Sequence, residues 1–299
     1  MSPAGVASTL RGIASRSLHT PANEVVPKEE RIPTATTAAA SRLIPGYRVL
    51  RQVGSAGTLY LAQRETDGLA VVIKMPEPAL LQDAAFCRRF IEECRTLRRV
   101  AHDNIVIVHD EALSERQGYL IMEHCASGDL TTRIGASGLS PDLAMLFLAQ
   151  IARGLAAAHG AGVIHRNLKP QNILLRNPLH LALADFGPTR TFASDAAIAP
   201  HGSAIATPLY MSPEQCIGAE HDVRGDLYSL GAVFFHMLTG RPPYTADNAG
   251  DLAFQHVHGP VPRLPARLAD HQPLVNRLLA KRPEHRPRSA AALLTEIQQ

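Results

Sequence analysis

The chain has 299 residues, 45 % of them hydrophobic, and a formal net charge of +3. That length can bury one large core or two smaller ones, and so mild a charge gives no ground for expecting a nucleic-acid partner. No run approaches eighteen uncharged apolar residues, so no membrane span is expected, and four cysteines without Cys-x-x-Cys spacing or paired histidines suit reduced thiols in a cytoplasmic protein.

Residues 1–45 are rich in Ser, Thr, Ala and Pro, show no sustained periodicity, and are expected to form a disordered tail. Arg11 and Arg16, with no acid among the first twenty residues, also suit an organelle transit peptide. From Tyr47 the pattern turns to strands: Tyr47 to Val53, Thr58 to Gln63, then Asp67-Gly68 as a tight hairpin before Ala70 to Met75. Gly54 and Gly57 lie between the first two strands, and Lys74 ends the run Val-Val-Ile-Lys. The chain has only four lysines, Lys28, Lys74, Lys169 and Lys281, and arginine fills nearly every other basic site. Asp83 to Val100 has helical spacing, with Glu93 on the same stripe as Phe86, Phe90 and Leu97, and an inward carboxylate needs a partner. His102 to Asp110 and Tyr119 to Glu123 continue as strands.

Ser140-Pro141 predicts a helix start, and Leu143, Phe147, Ile151 and Leu155 line its inner face. Next comes Val-Ile-His-Arg-Asn-Leu-Lys-Pro-Gln-Asn-Ile-Leu-Leu over Val163 to Leu175, followed after nine mostly apolar residues by Asp185-Phe186-Gly187. Two short apolar runs, Ile173 to Leu175 and Leu181 to Ala184, look like a strand pair that brings Lys169, Asn172 and Asp185 together. One cation and two oxygen ligands suit a metal–phosphate complex. Asp226 to Thr239 is apolar nearly all round and predicts a buried central helix, stopped by Gly240 and Pro242-Pro243.

These segments resemble the catalytic and metal-binding loops of the eukaryotic-like (Hanks-type) Ser/Thr protein kinases of bacteria, over about residues 46 to 299. The resemblance implies an α+β, two-lobed protein kinase fold. A small antiparallel sheet with one helix (46–123) would sit on a larger, mostly helical lobe (124–299). It implies ATP and Mg2+ as cofactors and a protein substrate or signalling partner. Gly54 and Gly57 would cover the nucleotide, although the loop is two residues short of the family's three-glycine spacing. Lys74 would pair with Glu93. Glu123, His124 and Cys125 would join the lobes and bind adenine through the backbone, with Asp129 near the ribose and Leu174 also at the nucleotide. Asn172 and Asp185 would hold magnesium, Lys169 would support the transferring phosphate, and His165 with Phe186 would join the internal spine. Glu214, in Met211-Ser212-Pro213-Glu214, would pair with Arg286.

One position departs from the family: His165-Arg166-Asn167 stands where the kinases have His-Arg-Asp. An amide cannot take a proton near neutral pH, though its oxygen can orient a hydroxyl. Three readings remain open: a nucleotide-binding pseudokinase acting as a scaffold, a slow but working Ser/Thr kinase, or an engineered inactive form of an active kinase with Asn in place of Asp at residue 167. Thr189, Thr191, Ser194 and Ser203 are candidate phosphorylation sites, and Arg166 is a candidate partner for phosphate on that loop.

Overall fold

The computed structural model describes residues 44–53, 59–75, 80–82, 84–113, 118–186 and 208–298. The first layer is a five-stranded antiparallel sheet in the order β1-β2-β3-β5-β4. Its strands are β1 (Tyr47–Val53), β2 (Leu59–Arg64), β3 (Ala70–Lys74), β4 (Val108–Leu113) and β5 (Gly118–Glu123). Side chains alternate across it as the pleat requires. Ile121, Ile73, Val71, Ala62 and Val49 build one small core with Ile44. Leu120, Met122 and Val108 face the other way, onto Phe90, Cys94 and Leu97 of helix α1 (Ala84–Arg99). The helical stripe read from the sequence therefore packs inward at Phe90 and Leu97. The side chains of Phe86 and Glu93 lie outside what the structure describes.

One expectation fails here. His102 to Ile107 is not strand; β4 starts at Val108. The segment docks instead on the hairpin of β6 (Ile173–Asn177) and β7 (His180–Leu183). Ile105 makes an isolated parallel bridge to Leu183, Val106 N donates to Leu183 O at 2.9 Å, and Asn104 Nδ2 donates to Leu181 O at 2.8 Å. Ile105 and Val106 are buried by that long-range docking while Ile107 stays exposed, and periodicity cannot distinguish such burial from a strand.

The larger layer is helical: α2 (Leu130–Arg133), α3 (Pro141–Gly160), α4 (Pro213–Cys216), α5 (Val223–Thr239), α6 (Ala249–His258), α7 (Gln272–Leu278) and α8 (Ala290–Ile297). Ser140 caps α3, its hydroxyl accepting from Leu143 N, with Pro141 in the first turn. By length and mean hydropathy α3 could cross a bilayer, but Phe147, Leu148, Ile151 and Leu155 are wholly buried in the core. Gly154 lets α3 press close to the hairpin. A Cβ there would lie 2.6 Å from Asn104 O and 2.9 Å from Leu183 Cδ1. The central helix α5 is buried nearly all round, and Gly240 ends it in the left-handed conformation at φ 76°.

Glu214 and Arg286 form a two-pronged pair, Nη1 to Oε1 at 2.6 Å and Nη2 to Oε2 at 2.9 Å, with the arginine side chain fully enclosed. Arg286 also donates to the carbonyls of Ala280, Lys281 and Arg224, so its fork is satisfied. Removing one partner of such a pair strands the other charge in the interior. Arg286→Ala is expected to cost about 3–5 kcal/mol of unfolding free energy. Urea titration monitored by circular dichroism checks this; a loss within ~0.5 kcal/mol of wild type would show that the pair does not brace the lobe.

Candidate active site

Helix α3 leads into the loop Val163–Asn172, which is held from below by a buried carboxylate. Asp226, in the first turn of α5, is completely enclosed. Its Oδ2 accepts from His165 N at 2.7 Å and faces His159 Nε2 at 2.8 Å. Its Oδ1 accepts from Arg166 N at 2.8 Å and faces His221 Nε2 at 3.4 Å. Burial would raise the Asp226 pKa, but the hydrogen bonds from His159 and His221 outweigh it and hold the group well below the usual carboxylate range. Fastening two successive amides to one carboxylate bends the backbone between them. Arg166 takes φ 61°, and its carbonyl accepts from Gln215 Nε2 at 2.8 Å. A side-chain-bearing residue in that region costs on the order of 1–3 kcal/mol, which these bonds offset.

Above this anchor four polar side chains converge. Lys74 pairs with Asp185 Oδ1. Asn167 Nδ2 donates to Asp185 Oδ2 at 2.8 Å; Asn172 Nδ2 approaches the same oxygen at 3.3 Å and donates to Asn167 O at 2.8 Å. Asp185 itself sits at φ 59°. Burial pushes its pKa up, but Lys74, His165 and Lys169 outweigh that and keep the carboxyl below its ordinary value. The His165 ring is buried 4.4 Å from the Phe186 ring, and burial lowers its pKa. Lys169, half-buried, begins the tight turn Pro170–Asn172. Thus five of the residues singled out from the sequence, Lys74, Asn167, Lys169, Asn172 and Asp185, belong to one cluster at the mouth of the β6–β7 hairpin.

A carboxylate oxygen beside a carboxamide oxygen is a donor set that suits Mg2+, which takes few protein ligands and keeps water or phosphate for the rest. Among the described residues no group of three or more His, Cys, Asp or Glu side chains forms an all-protein metal cage. The Asn172 amide orientation is set by its two acceptors, and a half-turn would present its oxygen beside Asp185.

At the linker between lobes, the Glu123 carboxylate faces away from the cleft, toward Arg176, and its amide donates to Ile107 O at 2.9 Å. Cys125 is buried, and burial pushes its thiol up to about 11, so it is a packing residue whose backbone alone could serve a ligand. Asp129 Oδ1 accepts from Thr132 N at 3.1 Å as the cap of α2. Leu174 is half-buried and pairs with Ala182 across the hairpin. A pocket between sheet, α1 and Phe186 adjoins Lys74 and Asp185 and is lined by Cys94, Val106 and Met122 among others. Gly54, Gly57, Gly187, Thr189, Thr191, Ser194, Ser203 and Thr207 lie outside the described residues, as does the side chain of Glu93. The sequence reading missed Asp226 as the loop's anchor, together with His159 and His221. Its one signal was an acid opening an otherwise apolar helix.

An aspartate with a depressed pKa adds stability that is full above its unfolded value near 3.8 and is lost as pH falls through the folded value. Asp226→Asn is expected to lower unfolding free energy by about 3 kcal/mol at neutral pH. The gap from wild type should stay constant above about pH 5 and shrink below about pH 4. Urea melts across that pH series measure it; a gap independent of pH would show that the carboxylate charge is not what holds the loop.

The protein kinase domain family matches residues 47–296. The serine/threonine-protein kinase PknH of Mycobacterium tuberculosis is 35 % identical over 246 residues, covering 80 % of this chain and 39 % of PknH. The serine/threonine-protein kinase pkn2 of Myxococcus xanthus is 35 % identical over 260 residues, covering 83 % of this chain and 31 % of pkn2. The chain thus spans about a third to two fifths of the length of these relatives. The crystal structure of the M. tuberculosis PknI kinase domain superposes with a TM-score of 0.68 at 28 % identity, covering 85 % of this chain and 95 % of that one. The chain belongs to the protein kinase domain family, among the Hanks-type serine/threonine kinases of bacteria.

Proposed function

We propose that this protein binds ATP with Mg2+ between its lobes and transfers phosphate to protein hydroxyls slowly or not at all, acting as a pseudokinase in a signalling assembly. The observation that carries the reading is the 2.8 Å hydrogen bond from Asn167 Nδ2 to Asp185 Oδ2. Where the family places a carboxylate that accepts or orients the hydroxyl proton, this chain places an amide that donates to the metal-binding carboxylate. Its nitrogen cannot accept a proton near neutral pH, and its oxygen can only orient one.

Mg2+, when bound, would supply positive charge that neutralises phosphate. In this reading Asp185 and Asn172 hold that ion, and Lys74 and Lys169 supply positive charge to the phosphates. The resemblance to the kinases assigns Glu93 to Lys74 and Gly54 and Gly57 to the nucleotide, and the Glu123–Cys125 backbone, Asp129 and Leu174 frame the nucleoside. The Asp226 anchor keeps Asn167 in reach of the reacting hydroxyl, and Phe186 packed on His165 fixes the base of Asp185. A cytoplasmic setting belongs to the same proposal; the four cysteines stand as free thiols, which suits a reducing compartment.

The second reading, a working Ser/Thr kinase at reduced rate, draws support from the same cluster. General-base assistance is worth roughly 10²–10⁴-fold, while positioning and electrostatics supply most of the rest of phosphoryl transfer. Transfer from labelled ATP with Mg2+, to the protein itself and to a generic basic protein, separates the readings. Asn167→Asp is expected to transfer label ~10²-fold or more faster than wild type, and Lys74→Met to transfer none. Label transferred by wild type within a few-fold of Asn167→Asp would replace the pseudokinase with the slow kinase. Silence from both, with no MgATP-induced rise in melting temperature, would remove nucleotide binding as well.

A further inference from the structure

Three stretches distant in sequence meet behind the linker between the lobes, and one side chain joins them. Arg176 lies on β6, in the larger lobe. Its Nε donates to both oxygens of Glu123 at 3.1 Å, and its Nη2 donates to Glu123 Oε1 at 2.5 Å and to Ile105 O at 2.8 Å. Its Nη1 donates to Asp103 O. All three guanidinium nitrogens are thereby engaged, which is the planar fork that lysine cannot reproduce. Glu123 in turn accepts from Ile107 N at 3.0 Å, and Glu123 N donates to Ile107 O at 2.9 Å. Glu123 is paired with Val71 in the register of β3 and β5, so the carboxylate that Arg176 grips is rigidly part of the sheet.

The far end of the linker is fastened to the same strand by its backbone. Ser127 N donates to Leu175 O at 3.3 Å, Leu175 N donates to Gly128 O at 2.9 Å, and Asp129 bridges Leu174. Between the Arg176 grip and these ladder bonds only His124, Cys125 and Ala126 are left to flex. The ion pair is mostly shielded, with the two side chains 22 % and 17 % exposed, so water screens it less than a surface pair.

We propose that Arg176 is a positioning residue for nucleotide binding: through Glu123 it fixes the linker backbone and the angle between the lobes. The inference rests on the nucleotide-binding reading for its consequence, but the grip itself can be measured without nucleotide. A linker fastened at both ends presents its backbone groups already ordered, which cuts the entropy lost when a ligand binds and slows its release. Cutting the grip at Arg176 frees one end and leaves the Leu175 ladder intact.

The test is amide hydrogen exchange with mass spectrometry on nucleotide-free wild type, Arg176→Ala and Arg176→Lys. It is paired with stopped-flow release of an ATP analogue carrying an N-methylanthraniloyl fluorophore. In Arg176→Ala, exchange in peptides covering Ile107 and Glu123 is expected to rise about tenfold or more, with Leu175 and the α5 core unchanged. Analogue release should quicken by roughly five- to tenfold, with Arg176→Lys in between. Unaltered exchange at Ile107 and Glu123 would overturn the proposal. So would a uniform rise through α5, which marks mere destabilisation, or a local rise with unchanged release. If wild type fails to bind the analogue at all, the nucleotide reading falls and with it the positioning role, while the exchange data still establish or refute the grip.

Discussion

The geometry of the site depends on a single buried carboxylate. Asp226 receives the amides of two consecutive residues and faces two imidazoles, which fills its four acceptor positions. A charge so deep in the protein is tolerable only with that full set of donors. The consequence is mechanical. With both amides fastened to α5, Arg166 is forced into the left-handed region, and the chain turns sharply enough to lift Asn167 toward the cleft. At the other end of the hydrogen bond from Asn167, Asp185 takes a similar backbone strain at φ 59°. The two strained residues flank the Asn167–Asp185 hydrogen bond, and strain of this sort persists only where its surroundings over-determine it.

Replacing an acid by an amide at residue 167 changes the electrostatics as well as the acid–base chemistry. With aspartate there, two carboxylates would lie within hydrogen-bonding distance of each other, and one pKa would rise unless a cation intervened. Asn167 removes that conflict. In the cluster Lys74 pairs with one oxygen of Asp185, and the two amides donate to the other. The ligand-free arrangement gains internal satisfaction, and the cost falls on proton acceptance.

The two lobes are coupled through the β6–β7 hairpin. Asn104, Ile105 and Val106 dock on β7, while the linker is held by β6 at both ends, through the Arg176 side chain and through the Leu175 backbone. Gly154 allows α3 to approach this junction closely enough to hold it against the core. The same hairpin carries Asn172 and Asp185 at its mouth. Sheet position, linker shape and the placement of Asn172 and Asp185 are therefore set by one small element, and a displacement of it would move all three.

The sequence alone determined what depends on near neighbours and on motif order. The Asp67-Gly68 hairpin, the Ser140-Pro141 start of α3, the stop at Gly240 and the buried character of α5 follow from local backbone preference and periodicity, and all stand in the fold. The spaced motifs pointed to the kinase fold and to Lys74, Asn167, Lys169, Asn172 and Asp185 as one cluster. Tertiary structure alone decided the rest, because the partners are far apart along the chain. Asp226 meets His165 across 61 residues, and Arg176 meets Glu123 across 53. Neither pair has a local signature; an acid at a helix start and an arginine near a turn are ordinary surface patterns. The run His102 to Ile107 was misread as strand for the same reason. Ile105 and Val106 are buried by a hairpin more than seventy positions away, and periodicity records that a side chain is hidden without recording what hides it.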